Sequence, residues 1–461
     1  MSPAYAVYAN EESSGFSRPG RSSAETLPSY SAVDSSRAAP QQQHELPPDL
    51  SLRLTNLKLE PTKSISVDYC IAHLKFLEAV QTLRELIANS EGIFGLVNPP
   101  AAGPKADEDN SDTEEQLKIR EKRWQVYISR AVDRFEKWWN TCVPASIDGN
   151  PCGKITTYEL IHCGEWRYTA RTMGAHVAGN REELAGKIGL LPLDLLIVWH
   201  AYLLNPRCFL EDCIRHGKYD FYATDFPFDR IDGYISPTTF EYLPPDEAKK
   251  EFESATGLHW NNLDHPAVKG LNCSNCGTLV SVPWTENAGY AYGKSFAPGN
   301  GFADSGFTIQ CPKCNTSIDH DYLRVMKFRE DLLLLLKSHI PFPGTILNSD
   351  GKIKLSGNLT AVGADKNLYP CKIAKTLISD ELIAATSPSG MALTMEGVKK
   401  EFEKGLIFAS SRRSADKGEN LAYRRMMSRY WYNSSPFALD LVGAVVRQGE
   451  IKAVTSSTCR C

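Results

Sequence analysis

The sequence predicts a mainly α-helical protein: a multi-helix domain with one small β module inserted into it or appended to it. Apolar residues recur at the spacing of an amphipathic helix through most of the chain. Two C-x2-C motifs interrupt this pattern, and short strand-like runs flank them. With 461 residues, of which 42% are hydrophobic, the chain is long enough to form about two to four domains.

Composition and charge narrow the class of protein. The net charge of −4 argues against a chain that coats nucleic acid along its whole length, although it leaves room for a local basic patch. There is no secretory signal pattern, and no run approaches the roughly 18 to 20 apolar residues that cross a bilayer. We therefore expect an intracellular protein, cytoplasmic or nuclear, without a membrane span. Its 13 cysteines are expected to be reduced thiols, because their number is odd and no export signal accompanies them.

The first part of the chain divides into a tail and a helical domain. Residues 1–47 are rich in Ser, Pro, Ala and Gln and predict a disordered tail. The helical domain is expected over 48–225, with an acidic linker at 99–115. Trp138 and Trp139 are interpreted as core anchors. Helices are predicted over residues 67–89, 114–141, 158–176 and 181–188.

Residues 190–217 form the most apolar stretch and predict two consecutive helices. Pro192 suits a first helical turn, and apolar residues then fall on every side through Leu204, which predicts a helix that is buried all round. Asn205-Pro206 ends this helix and begins the next, because proline disfavours a helical residue before it and Asn205 suits the cap position. Gly217 is expected to end the second helix.

Three blocks in this region resemble a known family. They are Lys75-Phe76-Leu77-Glu78-Ala79-Val80, then Arg130-Ala131-Val132-Asp133-Arg134-Phe135-Glu136-Lys137-Trp138-Trp139, then Leu191-Pro192-Leu193-Asp194 running through Val198-Trp199-His200 and Leu204-Asn205-Pro206 to Asp212-Cys213. In this order they resemble the glycine-rich domain-containing protein-like family, in particular its fungal members, over about residues 50–220. The resemblance implies no established reaction. Plant relatives are linked to development, stress and RNA through a glycine-rich tail or an RNA-recognition motif, and this chain shows neither.

The two C-x2-C motifs predict a metal site. Cys273-Ser-Asn-Cys276-Gly277 and Cys311-Pro-Lys-Cys314-Asn315 are separated by 34 residues. Gly277 and Asn315 occupy the position after each motif where a left-handed backbone is needed. Four thiolates form a closed tetrahedral shell that suits a structural Zn²⁺ and leaves no position open for water. Because the runs 279–283 and 306–310 predict strands, we expect a zinc ribbon; redox dithiols or unrelated cysteines are the alternatives.

A candidate catalytic or binding site lies on the two central helices. A histidine on a helix that is buried all round needs a hydrogen-bond partner, and Asp212 or a main-chain carbonyl is expected to supply one to His200. The simplest interpretation is a satisfied core histidine, with Cys213 filling space. A second pairs His200 with Cys213 as base and nucleophile, or with Asp212 as metal ligands. A third is a binding pocket that uses Trp199.

Common enzyme signatures do not support the catalytic interpretation. The sequence contains no G-x-x-x-x-G-K-[ST], H-E-x-x-H, G-x-S-x-G or G-x-G-x-x-G motif. None of the ten histidines begins an H-x-D or H-x-E triplet. A hydrolase-like enzyme and, more remotely, a 2-oxoglutarate-dependent dioxygenase are the enzyme classes left open.

The second half of the chain predicts a connector with the zinc module over 226–345 and a C-terminal helical region over 346–461. The leucine run 332–336 is expected on the buried side of its helix. The terminal Cys459-Arg-Cys461 has the form of a prenylation signal, but we interpret it as a chance match and do not expect lipidation. Helices are predicted over 247–256, 322–339, 373–385, 393–410, 419–432 and 436–448, and a hairpin or loop over 351–363.

A basic and aromatic stretch lies between residues 412 and 432. Arginines there are interleaved with tyrosines and a tryptophan, a mixture that suits phosphate contacts combined with base stacking. Arg424, Arg425 and Trp431 are therefore candidate binding residues for RNA. A helix with one solvated basic face is the simpler interpretation.

Taken together, these patterns predict an intracellular zinc-binding protein that serves as an interaction or regulatory scaffold for protein partners. An enzyme centred on His200, Asp212 and Cys213 is the main alternative, and RNA binding through residues 412–432 is another. A pocket at His200 beside a reachable thiol that can lose its proton would favour the enzyme. A sealed core at the same place would favour the scaffold.

Overall fold

The computed structural model describes residues 66–98, 114–144, 188–222, 224–286, 299–347, 366–389, 393–410 and 417–448. Within these ranges the protein is mainly helical and has two small antiparallel sheets. Several predictions fall outside the described residues: the tail at 1–47, the linker at 99–113, the helices at 158–176 and 181–187, the hairpin at 351–363, and Cys459 with Cys461. All of the described residues fall within one compact unit.

Two long helices begin the described part of the chain. Helix α1 is Val67–Asn89 and helix α2 is Glu114–Thr141, as the apolar spacing predicts. Ser66 caps α1 by accepting a hydrogen bond from the Tyr69 amide at 3.1 Å. Helix α2 includes the last two residues of the predicted linker, Glu114 and Glu115. Their negative charges lie at the positive end of the helix dipole and stabilise the helix. Trp138 and Trp139 are each 1% exposed, which confirms that they anchor the core.

The central stretch forms the two expected helices, α3 at Leu193–Leu203 and α4 at Pro206–Arg215. Every residue from Asp194 to Tyr202 is buried, which confirms the prediction for α3. Pro192 precedes α3 as its cap residue, instead of lying in the first turn. Asn205 occupies the N-cap position of α4, but its side-chain amide donates backwards to the Ala201 carbonyl at 2.9 Å. Gly217 follows α4 with a left-handed φ of 66°.

The predicted irregular connector contains short helices, and the C-terminal part is helical. Helix α9 ends at Thr376 and α10 begins at Ser379, so the helix predicted over 373–385 is broken. The last helix is shorter than predicted and begins at residue 441. The helices are α5 Tyr219–Tyr222, α6 Phe228–Ile231, α7 Asp246–Thr256, α8 His320–Ser338, α9 Tyr369–Thr376, α10 Ser379–Ala385, α11 Met395–Ser410, α12 Lys417–Trp431 and α13 at 441–448.

The leucine run on α8 does not lie on one side of the helix, so that prediction was wrong. Leu332 and Leu335 are fully buried, whereas Leu334 is 40% exposed. Consecutive residues of an α-helix are rotated by about 100°, and five in a row therefore cover every side. His339 ends the helix in a left-handed conformation, with φ of 58°.

Four strands form two hairpins between α7 and α8. Strand β1 (Val268–Asn272) pairs with β2 (Leu279–Pro283), and β3 (Thr308–Gln310) pairs with β4 (Ser317–Asp319). Strand β2 lies where it is predicted and β3 begins two residues later than predicted, whereas β1 and β4 were not anticipated.

Two large hydrophobic clusters hold most of the described elements together. The first contains side chains of α1 to α4 and of the segment up to Trp260, and it also contains residues 437–446 from the far end of the chain. The second joins the strands to α8, α9, α10, α11 and α12. None of the described helices combines the length and apolar character that a membrane crossing needs.

Candidate functional site

Each C-x2-C motif forms the turn of one hairpin. In the first, the Gly277 amide donates to the Cys273 carbonyl at 2.7 Å, and the Cys273 amide donates to the Thr278 carbonyl at 2.9 Å. The second repeats this pattern: the Asn315 amide donates to the Cys311 carbonyl, and the Cys311 amide donates to the Thr316 carbonyl, both at 2.9 Å. The two turns are thus built by the same main-chain hydrogen bonds.

The residue after each motif has the expected left-handed backbone. The φ angle is 74° at Gly277 and 56° at Asn315. Glycine and asparagine tolerate this region at the lowest steric cost. The identity of these two residues therefore explains how each turn closes tightly enough to place both of its thiols on one side.

The two hairpins bring the four thiols together. Cys273 Sγ lies 3.6 Å from Cys314 Sγ, and Cys276 Sγ lies 3.6 Å from Cys311 Sγ. All four sulfur atoms lie within 4.8 Å of one another. A disulfide would bring two of them to about 2.05 Å, and the described cysteines are free thiols. The cluster could therefore hold a metal ion.

These distances fit a tetrahedral thiolate site. With metal–sulfur bonds of about 2.3 Å, the edge of a tetrahedron of sulfur atoms is about 3.8 Å long. The measured 3.6 Å separations across the two motifs are close to that edge. A metal ion could therefore enter with only small shifts of the four side chains.

Hydrogen bonds with two threonines lower the pKa of two of the four thiols. A hydrogen bond with Thr316, whose Oγ1 lies 3.1 Å from Cys314 Sγ, lowers the pKa of the Cys314 thiol to about 6. The Cys276 thiol donates to Thr278 Oγ1 at 3.3 Å, and the side chain and main chain of Thr278 lower the pKa of Cys276. In contrast, burial raises the pKa of the Cys273 thiol to about 11. A bound cation would favour the thiolate at all four positions.

The threonines were missed by sequence reasoning, although the sequence carries a signal for them. The two motifs extend to Cys-Ser-Asn-Cys-Gly-Thr and Cys-Pro-Lys-Cys-Asn-Thr, which share a threonine two residues after the second cysteine. His320 is not part of the cluster, since its Nε2 contacts the Asp304 carbonyl at 3.0 Å.

The partner of His200 is another histidine. His200 Nε2 lies 3.1 Å from Nε2 of His73 on α1, so one ring donates and the other accepts. Burial lowers the pKa of His200 to about 4, and the positive charge of a protonated His73 would add to this effect. His200 is therefore neutral at neutral pH. The sequence offered no signal for this pair, because the two residues are 127 positions apart.

Asp212 and Cys213 have other neighbours. Asp212 is fully buried and accepts hydrogen bonds from the Tyr202 hydroxyl and, at 2.6 Å, from the Ala438 amide. Cys213 is fully buried, and burial raises the pKa of its thiol well above the ordinary value. Among the described residues, no hydrogen bond joins His200 to Asp212 or Cys213.

Little space is present around these side chains. A cavity of about 50 Å³ lies beside His200 and is lined by Phe76, Trp124 and Ile197 among others. It has room for a few water molecules. Trp199, the candidate pocket residue, is 1% exposed and stacks on Phe221 with ring centres 4.9 Å apart. This region is thus a packed core.

The basic and aromatic stretch is only partly exposed. Arg424 is exposed, whereas Arg425 is half-buried and donates to the Leu347 carbonyl at 3.0 Å. Trp431 is half-buried, with Lys399 Nζ 5.5 Å from its ring centre. Tyr430 is fully buried and donates to Asp331 at 2.8 Å. Tyr430 and Trp431 therefore pack mainly inwards, whereas Tyr432 is 45% exposed.

Comparisons with known proteins leave the site to be interpreted from its own geometry. No family model, no curated protein and no solved structure matches this chain.

Proposed function

We propose that the four cysteines hold one structural Zn²⁺ in a zinc ribbon, and that the protein acts as a non-catalytic interaction or regulatory scaffold. The observation that carries the proposal is the convergence of four thiols within 4.8 Å from two hairpins of the same design. Four soft sulfur ligands in a tetrahedral arrangement favour Zn²⁺.

A structural role follows from the ligand set. Four protein thiolates complete a tetrahedral shell, whereas catalytic zinc sites keep one position for water or substrate. The cluster also lies against a core, because Cys273 and Cys311 are 1% exposed and pack with Val280 and Ile318. The ion would therefore hold the two hairpins together and attach them to α8.

The packing at His200 favours the scaffold over the enzyme. A nucleophilic cysteine needs a reachable thiolate and a base close to it. Cys213 is sealed in the core with a raised pKa, and His200 is engaged with His73. The hydrolase-like and dioxygenase alternatives have no further observation in their favour.

The packing of α12 also favours a scaffold over RNA binding. Stacking of successive bases needs several exposed aromatic faces, yet Tyr430 is fully buried and Trp431 is half-buried, which leaves Tyr432 as the one exposed ring of this stretch. We further propose that the chain belongs to the glycine-rich domain-containing protein-like family and acts inside the cell, in the cytoplasm or nucleus. The three sequence blocks support this, and their residues contribute to one core.

Metal analysis tests the zinc site. The chain should be purified under reducing conditions without added metal, as wild type and as the variants Cys311→Ser and Cys70→Ser. Cys70 is exposed on α1 and serves as the matched control. We expect one zinc per chain in the wild type and in Cys70→Ser, and loss of zinc with a lower melting temperature in Cys311→Ser. Zinc-free wild type, or full zinc retention in Cys311→Ser, would contradict the site.

Partner recovery tests the scaffold. The tagged chain and the His200→Gln variant should be used for affinity purification, with the melting temperature measured in parallel. We expect both forms to recover the same protein partners as long as they remain folded. A folded His200→Gln variant that loses a measurable conversion of a metabolite would support the enzyme instead.

A further inference from the structure

Two arginines from different helices converge on one main-chain oxygen. Arg207 Nη2, on α4, donates to the Leu347 carbonyl at 2.9 Å, and Arg425 Nη1, on α12, donates to the same atom at 3.0 Å. The guanidinium groups therefore face each other across a single acceptor. Burial lowers the pKa of Arg425, and the like charge of Arg207 adds to this effect.

A third arginine lies beside them. Arg429 follows Arg425 by four residues on α12, so both side chains lie on one face of the helix. Its Nε atom is buried without a hydrogen-bond partner in the described part of the chain. It lies close to α4, because its positive charge acts on the Cys208 thiol of that helix. Burial raises the pKa of this thiol to about 11, and Arg429 is the strongest of the charges that oppose the rise.

One carboxylate, that of Glu211, interacts with this cluster, and the main chain engages it as well. Glu211 is fully buried, and its two oxygen atoms accept hydrogen bonds from the amides of Gly344 at 2.5 Å and Leu347 at 3.1 Å. It thus holds the 344–347 segment in place. The charge of Glu211 acts on both Arg425 and Arg429, and the described residues place no further carboxylate in an ion pair with either of them.

We propose that Arg207, Arg425 and Arg429 form a binding site for the phosphate group of a small phosphomonoester. Guanidinium groups bind phosphate oxygens through paired, charge-assisted hydrogen bonds. Arg429 offers a buried Nε–H that no described residue uses, and a phosphate dianion would balance the positive charge of Arg425 and Arg429 that exceeds the single charge of Glu211. A half-buried cation whose charge is only partly compensated is costly, so the bound anion also stabilises the fold.

The surroundings favour a small ligand over RNA. Continuous RNA binding combines phosphate contacts with exposed aromatic faces on which bases stack. Tyr430, next to Arg429, is fully buried, and Trp431 lies under Lys399. Tyr432 is 45% exposed, and a single exposed ring is too few for successive bases to stack.

Calorimetric titration of the zinc-loaded full chain tests the site. The probes are inorganic phosphate and glycerol phosphate, with a single-stranded RNA oligonucleotide as a third arm, all at constant ionic strength. The variants are Arg429→Gln and Arg425→Gln, with Arg424→Gln as the matched control because Arg424 is exposed on the same helix. Circular dichroism verifies that each variant is folded, and Arg429→Lys replaces Arg429→Gln if the latter is not.

We expect saturable binding of one phosphate per wild-type chain. Losing one charge-assisted contact weakens binding by about tenfold or more, so Arg429→Gln and Arg425→Gln should show this loss. Arg424→Gln should bind like the wild type. Glycerol phosphate should bind at least as tightly as phosphate, because the site recognises the phosphate group of an ester; binding of inorganic phosphate alone would contradict an ester ligand. Absence of saturable binding, equal binding by Arg429→Gln or Arg429→Lys, or RNA binding that phosphate does not displace would overturn the site.

Discussion

Arg134 joins α2 to two other parts of the first core, and its replacement by methionine gives a demanding test of that core. Its Nε donates to Asp194 Oδ2 on α3 at 2.7 Å. Its Nη1 and Nη2 donate to the carbonyls of His259 and Trp260 at 2.8 and 2.9 Å. The side chains of Arg134 and Asp194 are only 3% and 2% exposed.

The expected loss of stability follows from the groups that lose their partner in Arg134→Met. Methionine preserves much of the volume but removes the charge and three hydrogen bonds. Asp194 would then remain as a buried carboxylate whose one described hydrogen bond comes from Asn262 Nδ2 at 3.0 Å. Removing one partner of a buried ion pair costs about 3–5 kcal/mol. The variant Arg134→Met with Asp194→Leu should be less destabilised than Arg134→Met alone, because no uncompensated charge stays in the core.

The assay is urea unfolding followed by circular dichroism, with Lys137→Met as the matched control. Lys137 is an exposed cation on the same helix, so its replacement should change the free energy of unfolding by less than about 0.5 kcal/mol. Arg134→Met should lower it by about 3–5 kcal/mol. A loss below about 1 kcal/mol, or a double variant that is less stable than Arg134→Met, would refute the assignment of a buried pair.

Two further predictions concern the same core. The pKa of His200 is about 4 in the folded protein, below the ordinary value of 6.5, so the unfolded chain binds the proton first as the pH falls. The neutral form of His200 therefore contributes to the free energy of unfolding above pH 6.5, and this contribution, on the order of 3 kcal/mol, is lost as the pH falls toward 4. His200→Gln should flatten this pH dependence, measured by urea unfolding at several pH values. An unchanged slope would contradict the prediction. Phe437 is fully buried against Phe135, Trp139 and Tyr202, so Phe437→Ala should cost about 3–5 kcal/mol, and a near-neutral result would show that residues 437–446 are not part of this core.

The local pattern of the sequence predicts most of the helices. Helices α1 and α2 begin and end where apolar spacing places them, because each has a continuous stripe of buried residues. The left-handed positions at Gly217, Gly277 and Asn315 also follow from residue type alone. These features depend on neighbours within a few positions of the chain.

Features that depend on distant parts of the chain could not be predicted. Strand β1 alternates between exposed and half-buried residues, so it has no apolar face that would indicate a strand. The pairing of His73 with His200 crosses 127 positions, and Asp212 meets Ala438 across 226. A single sequence does not show which of several buried polar groups become partners.

The candidate metal site was recognised in advance because its ligands come in closely spaced pairs. The candidate catalytic group on α3 and α4 was inferred from proximity along the chain alone. In the structure its members turn to different neighbours, His200 to His73 and Asp212 to Tyr202. Chain proximity on two consecutive helices therefore does not make a site unless the side chains point to a common space.

The structural zinc ion is the central claim, and X-ray absorption at the zinc edge tests it most directly. The purified wild-type protein should show four sulfur neighbours at about 2.3 Å, with no nitrogen or oxygen ligand, because the proposed site draws its whole shell from Cys273, Cys276, Cys311 and Cys314. A spectrum with nitrogen or oxygen ligands would contradict a closed four-thiolate site. Folded protein that contains no zinc would contradict it as well.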